Sequence, residues 1–357
     1  MTTESRTRPS RPTTSSLTWP TIAQVGPDPA AVGGIETVIR TYAELLAPHA
    51  TVRTLPTWRP DARAAGAAPA LAALRRLAGL PRGAVVHVHL SHRGAFLREG
   101  ALVRAAAALR RPVFVTVHGS DFVATSRTGL WRPVYAAVLR AADGVAVLND
   151  GALAAVRRLA PRTPVTLLHN PGPVPADWRP ATGAAAAPPT VVFAGEVSHR
   201  KGVDVLLAAW PAVLRAVPDA TLVVAGPAGG VATDGVPGVR ALGAVPPARV
   251  RELLGEARAA VLPSRAEAMP MFVLEAMAAG RPVVGTAVGA MPGMLAGAGR
   301  VVQPGDAAAL AAALVAYLAD PAAAGRDGAA GRERYLRDHS PAAAAHHLGV
   351  FYGLLGR

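Results

Sequence analysis

The feature that most constrains the fold is a series of short, almost uniformly apolar runs separated by longer segments with helical spacing. Parallel strands that are covered on both faces are apolar at nearly every position, whereas half-exposed strands alternate. We therefore interpret the runs as buried parallel strands. They are Thr21–Gly26, Ala84–Leu90, Val113–Gly119, Val145–Asn149, Val165–Asn170, Thr190–Gly195, Thr221–Gly226, Val239–Val245, Ala259–Ser264 and Pro282–Gly289.

The segments between the runs carry apolar residues three or four positions apart, as in 35–46 and 203–214. Alternating strands and helices predict an α/β fold, and 357 residues exceed the usual size of a single domain. The Pro-, Gly- and Ala-rich stretch 170–190 divides the runs evenly. We predict two doubly wound domains that face each other across a cleft. The expected segments are a disordered tail at 1–19, a first domain at 20–178, a linker at 179–189, a second domain at 190–335, and a helical segment at 336–357 that returns toward the first domain.

Composition and charge exclude several kinds of site and partner. The chain has no cysteine, which excludes disulfides, thiolate catalysis and cysteine-ligated zinc. The net charge of +14 comes without basic runs interleaved with aromatics, so we predict no nucleic-acid partner. Residues 1–20 lack an apolar signal core, and the longest apolar run is shorter than a membrane span. These features predict a cytoplasmic protein, and the Arg-rich stretches 72–82 and 104–111 leave open a peripheral contact with anionic lipid at the inner membrane face.

Polar and glycine residues follow the ends of the predicted strands, where doubly wound sheets bind their ligands. His118, Gly226 and Glu267 come at or soon after such ends, and Lys201 follows the run that ends at 195. The pair Gly33–Gly34 directly precedes a predicted helix, whose free N–H groups favour anions.

The stretch 264–280 has the clearest signals for a helix start and a helix end. Pro270 suits the first helical position, and Gly280 suits the C-terminal cap. We expect the amides of Met271 and Phe272 to face an anion such as a diphosphate. Glu275 lies about one turn further along, where a carboxylate can accept hydrogen bonds from both hydroxyls of a ribose.

The same stretch, SRAEAMPMFVLEAMAAG, resembles the donor-site signature of glycosyltransferase family 4, a retaining family with the GT-B fold. The resemblance covers roughly residues 20–335. It also includes GGIE at 33–36, HVHLS at 87–91, HGSDF at 118–122, NP at 170–171 and GEVSHRKGVDVLL at 195–207.

The resemblance implies a GT-B fold of two Rossmann-like domains and a role for each matching residue. Gly33–Gly34 would approach the donor diphosphate, and Lys201 would neutralise it. His118 and Glu267 would lie at the transferred sugar, and Glu275 would hold the ribose.

The chain departs from the family pattern in two places. Glu196 stands where the family usually has an arginine that clamps the leaving diphosphate, and Arg200 is the residue that could replace it. The Gly-Phe-Gly that often follows the first glutamate is replaced here by 268–270, Ala-Met-Pro, and the helix-start geometry survives this change.

The expected function is retaining transfer of a hexose-type sugar from a UDP- or GDP-linked donor to a hydroxyl acceptor. The acceptor would belong to glycan, glycolipid or secondary-metabolite biosynthesis. The chain has no DxD-type motif, so we expect no obligatory metal and no cofactor besides the donor.

Three alternatives stay open at this point. A nucleotide-sugar 2-epimerase would use a similar cleft without an acceptor, although the pair Glu267 and Glu275 favours a transferase. A catalytically impaired relative that only binds nucleotide sugars is the alternative that Glu196 keeps open. The segment 87–92, HVHLSH, is superficially similar to a hydrolase zinc cluster, but its acidic position is a serine.

Overall fold

The computed structural model describes residues 19–31, 33–59, 68–127, 129–174, 178–180 and 183–356. The expected tail at 1–19 lies outside them except for Trp19.

The first half of the chain forms a six-stranded, all-parallel sheet. Its strands are β1 Ile22–Pro27, β2 Val52–Trp58, β3 Val85–Leu90, β4 Val113–Val117, β5 Gly144–Val147 and β6 Val165–Leu167. The strand order is β2-β1-β3-β4-β5-β6, so the winding reverses between β1 and β3.

The second half forms another six-stranded parallel sheet and a small two-stranded pair. The strands are β7 Thr190–Ala194, β8 Val197–Ser198, β9 Thr221–Ala225, β10 Ala228–Gly229, β11 Val239–Gly243, β12 Ala259–Leu262, β13 Val283–Thr286 and β14 Gly299–Val302. The order β11-β9-β7-β12-β13-β14 places the reversal between β7 and β12, and β8 pairs with β10.

Helices connect the strands and cover the sheets. They are α1 Gly34–Leu46, α2 Ala68–Ala78, α3 Arg93–Ala108, α4 Phe122–Thr125, α5 Arg132–Leu139, α6 Asp150–Leu159, α7 Val203–Ala216, α8 Pro247–Glu256, α9 Met271–Ala278, α10 Met291–Leu295, α11 Ala307–Ala319, α12 Pro321–Arg334 and α13 Pro341–Phe351, with a 3₁₀ turn at Ala184–Ala186 and a π-helical turn at Tyr335–His339.

The predicted α/β architecture is confirmed, but the interpretation of the edge strands was wrong in part. Val52–Trp58 and Gly299–Val302 were not predicted as strands. Val165–Leu167 and Val239–Gly243 were predicted as fully buried and are largely exposed. All four lie at a sheet edge, where a strand has a neighbour on one side only and is less completely covered. At the edges, an apolar run is therefore a less reliable sign of a buried strand than it is at the centre of a sheet.

The end of the chain packs on the first sheet. Helix α13 contacts α1, and its Leu348 is buried in a cluster with Ile22, Val38 and Phe114. Tyr352, just beyond α13, belongs to the same cluster.

Within the described ranges, no single helix has the length and hydropathy to cross a bilayer. One sharply bent pair, Ala307–Ala319 with Pro321–Phe351, meets the length and composition criteria together.

Candidate functional site

A cleft of about 540 Å³ lies where the carboxyl ends of the two sheets face each other. In doubly wound folds this edge, near the winding reversal, is where ligands bind. Residues that follow β1, β3 and β4 form one wall, and residues that follow β7 and β12 form the other. The predicted site residues that line the cleft are Gly34, His118, Arg200, Lys201, Glu267, Met271 and Phe272.

Three predicted residues lie outside this lining. Gly33 is the N-cap of α1 and sits against the carboxylate of Glu36. At Gly226 a Cβ would collide with the carbonyl oxygen of Gly195, so this glycine allows two strand-end loops to approach each other. Glu275 lies in α9, is partly buried, and is not among the residues that line this cavity.

An ion pair between Lys201 and Glu267 forms part of the second wall of the cleft. The Lys201 Nζ lies 2.6 Å from Glu267 Oε1, and the hydroxyl of Ser264 donates to the same oxygen at 2.9 Å. Gly202 has a φ of 73°, and a Cβ there would collide with the carbonyl oxygen of Pro263. This close approach of two loops brings the lysine and the glutamate together.

The unusual Glu196 is paired with a neighbouring cation. Arg200 Nη2 lies 3.5 Å from Glu196 Oε2, and the Ser198 hydroxyl donates to that oxygen at 3.0 Å. Both charged side chains are about half exposed, so the pair is weak and solvent-screened. Arg200 thus lines the cleft with its charge partly opposed by the glutamate.

The N-terminus of α9 faces the cleft. Pro270 is the N-cap rather than the predicted first helical residue, because its ψ of 128° is extended. Proline has no N–H, and the first amides of the helix belong to Met271 and Phe272, as expected. Unpaired amides at a helix start favour an anion.

His118 lies at the end of β4 and is 7% exposed. Its backbone N–H donates to the carbonyl of Leu90 at 2.7 Å, and its Nε2 lies 2.9 Å from Nδ1 of His89. Burial lowers the pKa of His118 to about 3, so the ring is neutral near pH 7. A neutral imidazole at this position can donate a hydrogen bond to a hydroxyl or accept one from it.

Glu275 is partly buried in the middle of α9. Burial raises the pKa of its carboxyl to about 7, and the guanidinium of Arg251 opposes this shift. A ligand that hydrogen-bonds the ionised carboxylate would lower that pKa again.

Four further polar residues line the cleft: Glu36, Ser91, Asp121 and Asn170. They lie in the motifs that carry the family resemblance, and Asp121 was noted after the end of β4, but none of them was assigned a role from the sequence. Asn170 donates from Nδ2 to the carbonyl of Met269 at 3.2 Å, a contact between the two halves that no local pattern indicates.

The histidines of the segment 87–92 do not converge on one point. His87 and His89 are buried in a hydrogen-bonded chain, and exposed His92 caps α3 by accepting from the amide of Gly94 at 3.1 Å. Across the described part of the chain, no group of three or more histidine or acidic side chains is arranged to hold a metal ion.

Family profiles match both halves of the chain. A glycosyl transferase 4-like domain matches residues 31–171, and the glycosyl transferases group 1 profile matches 188–320. The glycogen synthase of Mycobacterium tuberculosis is 34% identical over 191 residues, which are 49% of this chain and 44% of that protein. The D-inositol 3-phosphate glycosyltransferase of Streptomyces avermitilis is 34% identical over 199 residues, 48% of this chain and 43% of that protein. The chain thus spans less than half the length of these relatives.

Solved structures share the whole fold. Sucrose-phosphate synthase from Thermosynechococcus elongatus superposes with a TM-score of 0.74 at 24% identity, covering 94% of this chain and 98% of that one. HepE from Anabaena, in complex with UDP-glucose, gives 0.73 at 14% identity, covering 94% and 100%. Two successive family profiles and a two-sheet GT-B fold confirm the resemblance, and the chain belongs to the group 1, family 4-type glycosyltransferases.

Proposed function

We propose that this protein transfers a hexose-type sugar from a UDP- or GDP-linked donor to a hydroxyl acceptor, with retention of the anomeric configuration. The observation that carries the proposal is the cleft itself. Lys201, Arg200 and the start of α9 lie on one wall, and His118 lies on the other. Cations and free amides suit a diphosphate, and a neutral imidazole suits a sugar hydroxyl.

The leaving diphosphate would be stabilised by groups that are already in place. Lys201 and Arg200 supply positive charge, and the starts of α1 and α9 supply free amides at Gly34 and Met271. Preorganised charge of this kind stabilises a transition state without reorganisation during the reaction. Arg200 would replace the missing arginine once a bound diphosphate displaces Glu196 as its partner. This favours a transferase over an impaired relative.

The donor sugar would lie between His118 and Glu267. Lys201 has three N–H donors, and Glu267 occupies one of them, so the ammonium can bridge the glutamate and a phosphate. This bridge would orient the Glu267 carboxylate toward the hydroxyls of the sugar.

The nucleoside would extend toward Glu275, whose carboxylate would accept hydrogen bonds from the ribose. A hydrogen-bonded ribose favours the ionised form of a carboxyl whose pKa burial has raised to about 7. We therefore expect nucleotide binding to weaken as the pH falls below 7.

The reaction would need neither a metal nor another cofactor, because Lys201 and Arg200 supply the charge that a divalent cation otherwise provides. Donor turnover should survive EDTA. Loss of activity in EDTA, with recovery on adding Mg²⁺ or Mn²⁺, would contradict this part of the proposal.

The acceptor would carry a free hydroxyl and belong to a glycan, a glycolipid or a secondary metabolite. We propose that the protein meets a lipid-linked form of it from the cytoplasmic side, at the inner membrane face. Leu71 on α2 and Leu97 on α3 are 49% and 56% exposed, and Arg75 and Arg76 lie in the last turn of α2. Apolar and basic groups together suit an anionic bilayer. Co-sedimentation should be strong with anionic vesicles and absent with neutral ones; equal binding to both would oppose the proposal.

Thermal-shift measurements with UDP, GDP, ADP and dTDP test the donor site directly. A ligand raises the melting temperature only if it binds the folded state. One diphosphate should stabilise the wild type, and Glu275→Ala should lose most of that shift. If no nucleotide stabilises the folded protein, the proposed donor site is wrong, although the family membership stands. If a nucleotide sugar is converted to its epimer without an acceptor, the isomerase alternative is correct.

A further inference from the structure

A buried chain of hydrogen bonds begins at His118 and runs through the first sheet. Its members, called here the histidine chain, are His118, His89, Gln24, Tyr352, His87 and Thr116. Apart from His118 at 7% and Tyr352 at 6%, the exposed fraction of each is 1% or less. None of the other five makes the contacts with substrate proposed above, so those contacts do not explain why the histidine chain is present.

The links are short except for one. His118 Nε2 and His89 Nδ1 are 2.9 Å apart, and His89 Nε2 lies 2.7 Å from Gln24 Oε1. Gln24 Nε2 donates to the Tyr352 hydroxyl at 3.4 Å, the longest link. That hydroxyl lies 2.7 Å from Nδ1 of His87.

The orientation of the Gln24 amide sets the direction of the chain. Its carbonyl oxygen faces His89 and can only accept, so Nε2 of His89 carries the proton and donates to it. A neutral imidazole has one N–H, so Nδ1 of His89 accepts and Nε2 of His118 donates. Burial keeps these rings neutral, because it lowers the pKa of His118 to about 3 and that of His89 well below its ordinary value.

We infer that Gln24 and Tyr352 are positioning residues that fix the tautomer of His118, so that its unprotonated Nδ1 faces the cleft as a hydrogen-bond acceptor for a sugar hydroxyl. Nδ1 of His118 makes no hydrogen bond with the other residues that the structure describes, and the side chain lines the cleft. The role in sugar binding rests on the proposed function, whereas the tautomer itself does not.

Tyr352 links the histidine chain to a distant part of the sequence. It follows α13, the last helix, and is 328 residues from Gln24 in sequence. In the orientation of Gln24 that the structure shows, the Tyr352 hydroxyl accepts from Gln24 Nε2 and can donate to Nδ1 of His87. The chain end that returns from the second sheet therefore contacts the amide on which the tautomer of His118 depends.

Nitrogen NMR of ¹⁵N-histidine-labelled protein tests the inference without any substrate. Protonated and unprotonated ring nitrogens give well-separated signals, and a His118→Asn variant assigns those of His118. The wild type should show the proton on Nε2 of His118. In Gln24→Met the N–H of His89 has no partner, so the rings should reverse and the proton should appear on Nδ1 of His118. Tyr352→Phe should give a mixture of both forms.

Tyr42→Phe is the matched control. Tyr42 stacks on His87 and His89, but its buried hydroxyl has no hydrogen-bond partner in the described parts of the chain. Removing that hydroxyl should leave the His118 tautomer unchanged. Melting curves of all variants confirm that each is folded when its spectrum is taken.

The outcomes separate this inference from the proposed function. A wild-type proton on Nδ1 of His118, or a wild-type pattern in folded Gln24→Met, would overturn the tautomer assignment. If the pattern changes as expected, donor turnover should fall about two- to tenfold in Tyr352→Phe and remain unchanged in Tyr42→Phe. Reversed tautomers with unchanged turnover would overturn the positioning role. A wild type that turns over no donor would instead contradict the proposed function.

Discussion

At the scale of single residues, we expect the proposed diphosphate site to depend most on Lys201. It is 17% exposed, and its ammonium is already fixed against Glu267. Lys201→Met should lower donor turnover by about a hundredfold, since removal of one preorganised stabilising group typically costs that much. Turnover of a saturating nucleotide sugar measures the effect. Arg249→Met is the control, because it removes the same charge from an exposed pair on α8. Equal losses in both variants would mean that overall charge, rather than this contact, matters.

Glu275 should make stability depend on pH. The folded-state pKa of about 7 lies above the ordinary value of 4.5, so the folded protein retains a proton that the unfolded chain releases. Stability should therefore fall as the pH rises from about 4.5 to 7. Glu275→Gln removes the carboxyl and therefore the cost of ionising it while it is buried. The difference in unfolding free energy between Glu275→Gln and the wild type should rise by up to about 3 kcal/mol from pH 5 to pH 8, in favour of the variant. Denaturant unfolding at both pH values measures it, with exposed Glu252→Gln as control. A pH-independent difference between Glu275→Gln and the wild type would contradict the burial of the carboxyl.

Single residues also show how far the sequence predicts the site. His118, Lys201 and Glu267 were predicted because strand ends and a family signature identify them, and the structure brings all three to one cleft. Glu275 was predicted by the same signature but is not among the residues that line the cavity, so its role as a ribose ligand stays a prediction. Gln24 was not predicted, because its partners are distant in sequence and only the fold brings them together.

At the scale of elements, we expect the close packing of the turn before α7 against Pro263 to position Lys201 in the cleft. Gly202→Ala would place a Cβ against the carbonyl of Pro263 and strain a φ of 73°. Gly235 has a φ of 71° with open space around it. Gly235→Ala therefore causes the backbone strain of a positive φ without a steric collision. We expect Gly202→Ala to lower the melting temperature more than Gly235→Ala and to weaken diphosphate binding. Equal melting temperatures and unchanged binding would show that the loop contact does not position the lysine.

The elements were predictable where they are buried. Central strands such as β4 are apolar throughout and stand out in the sequence. The edge strand β2 alternates in burial, contains a proline and was missed. The start of α9 was placed one residue early, because proline suits both the cap and the first position of a helix.

At the scale of the whole molecule, the end of the chain is part of the first half. Leu348 on α13 is fully buried near Ile22, more than 300 positions earlier in the sequence. Leu348→Ala should therefore destabilise the protein by about 2–5 kcal/mol, as expected for a buried leucine. Leu130→Ala, at a leucine that is 80% exposed, should have little effect. Denaturant unfolding compares them, and similar values would contradict the packing of α13 on the first sheet.

We propose that the cleft between the two halves binds and activates a nucleotide sugar. The most direct test incubates the protein with UDP- and GDP-linked hexoses without an acceptor and follows the products by proton NMR. We predict slow hydrolysis of one donor, release of the sugar first as the α anomer, and loss of this activity in Lys201→Met. A correctly folded protein that neither binds nor hydrolyses any of these donors would show that the cleft is not a nucleotide-sugar site.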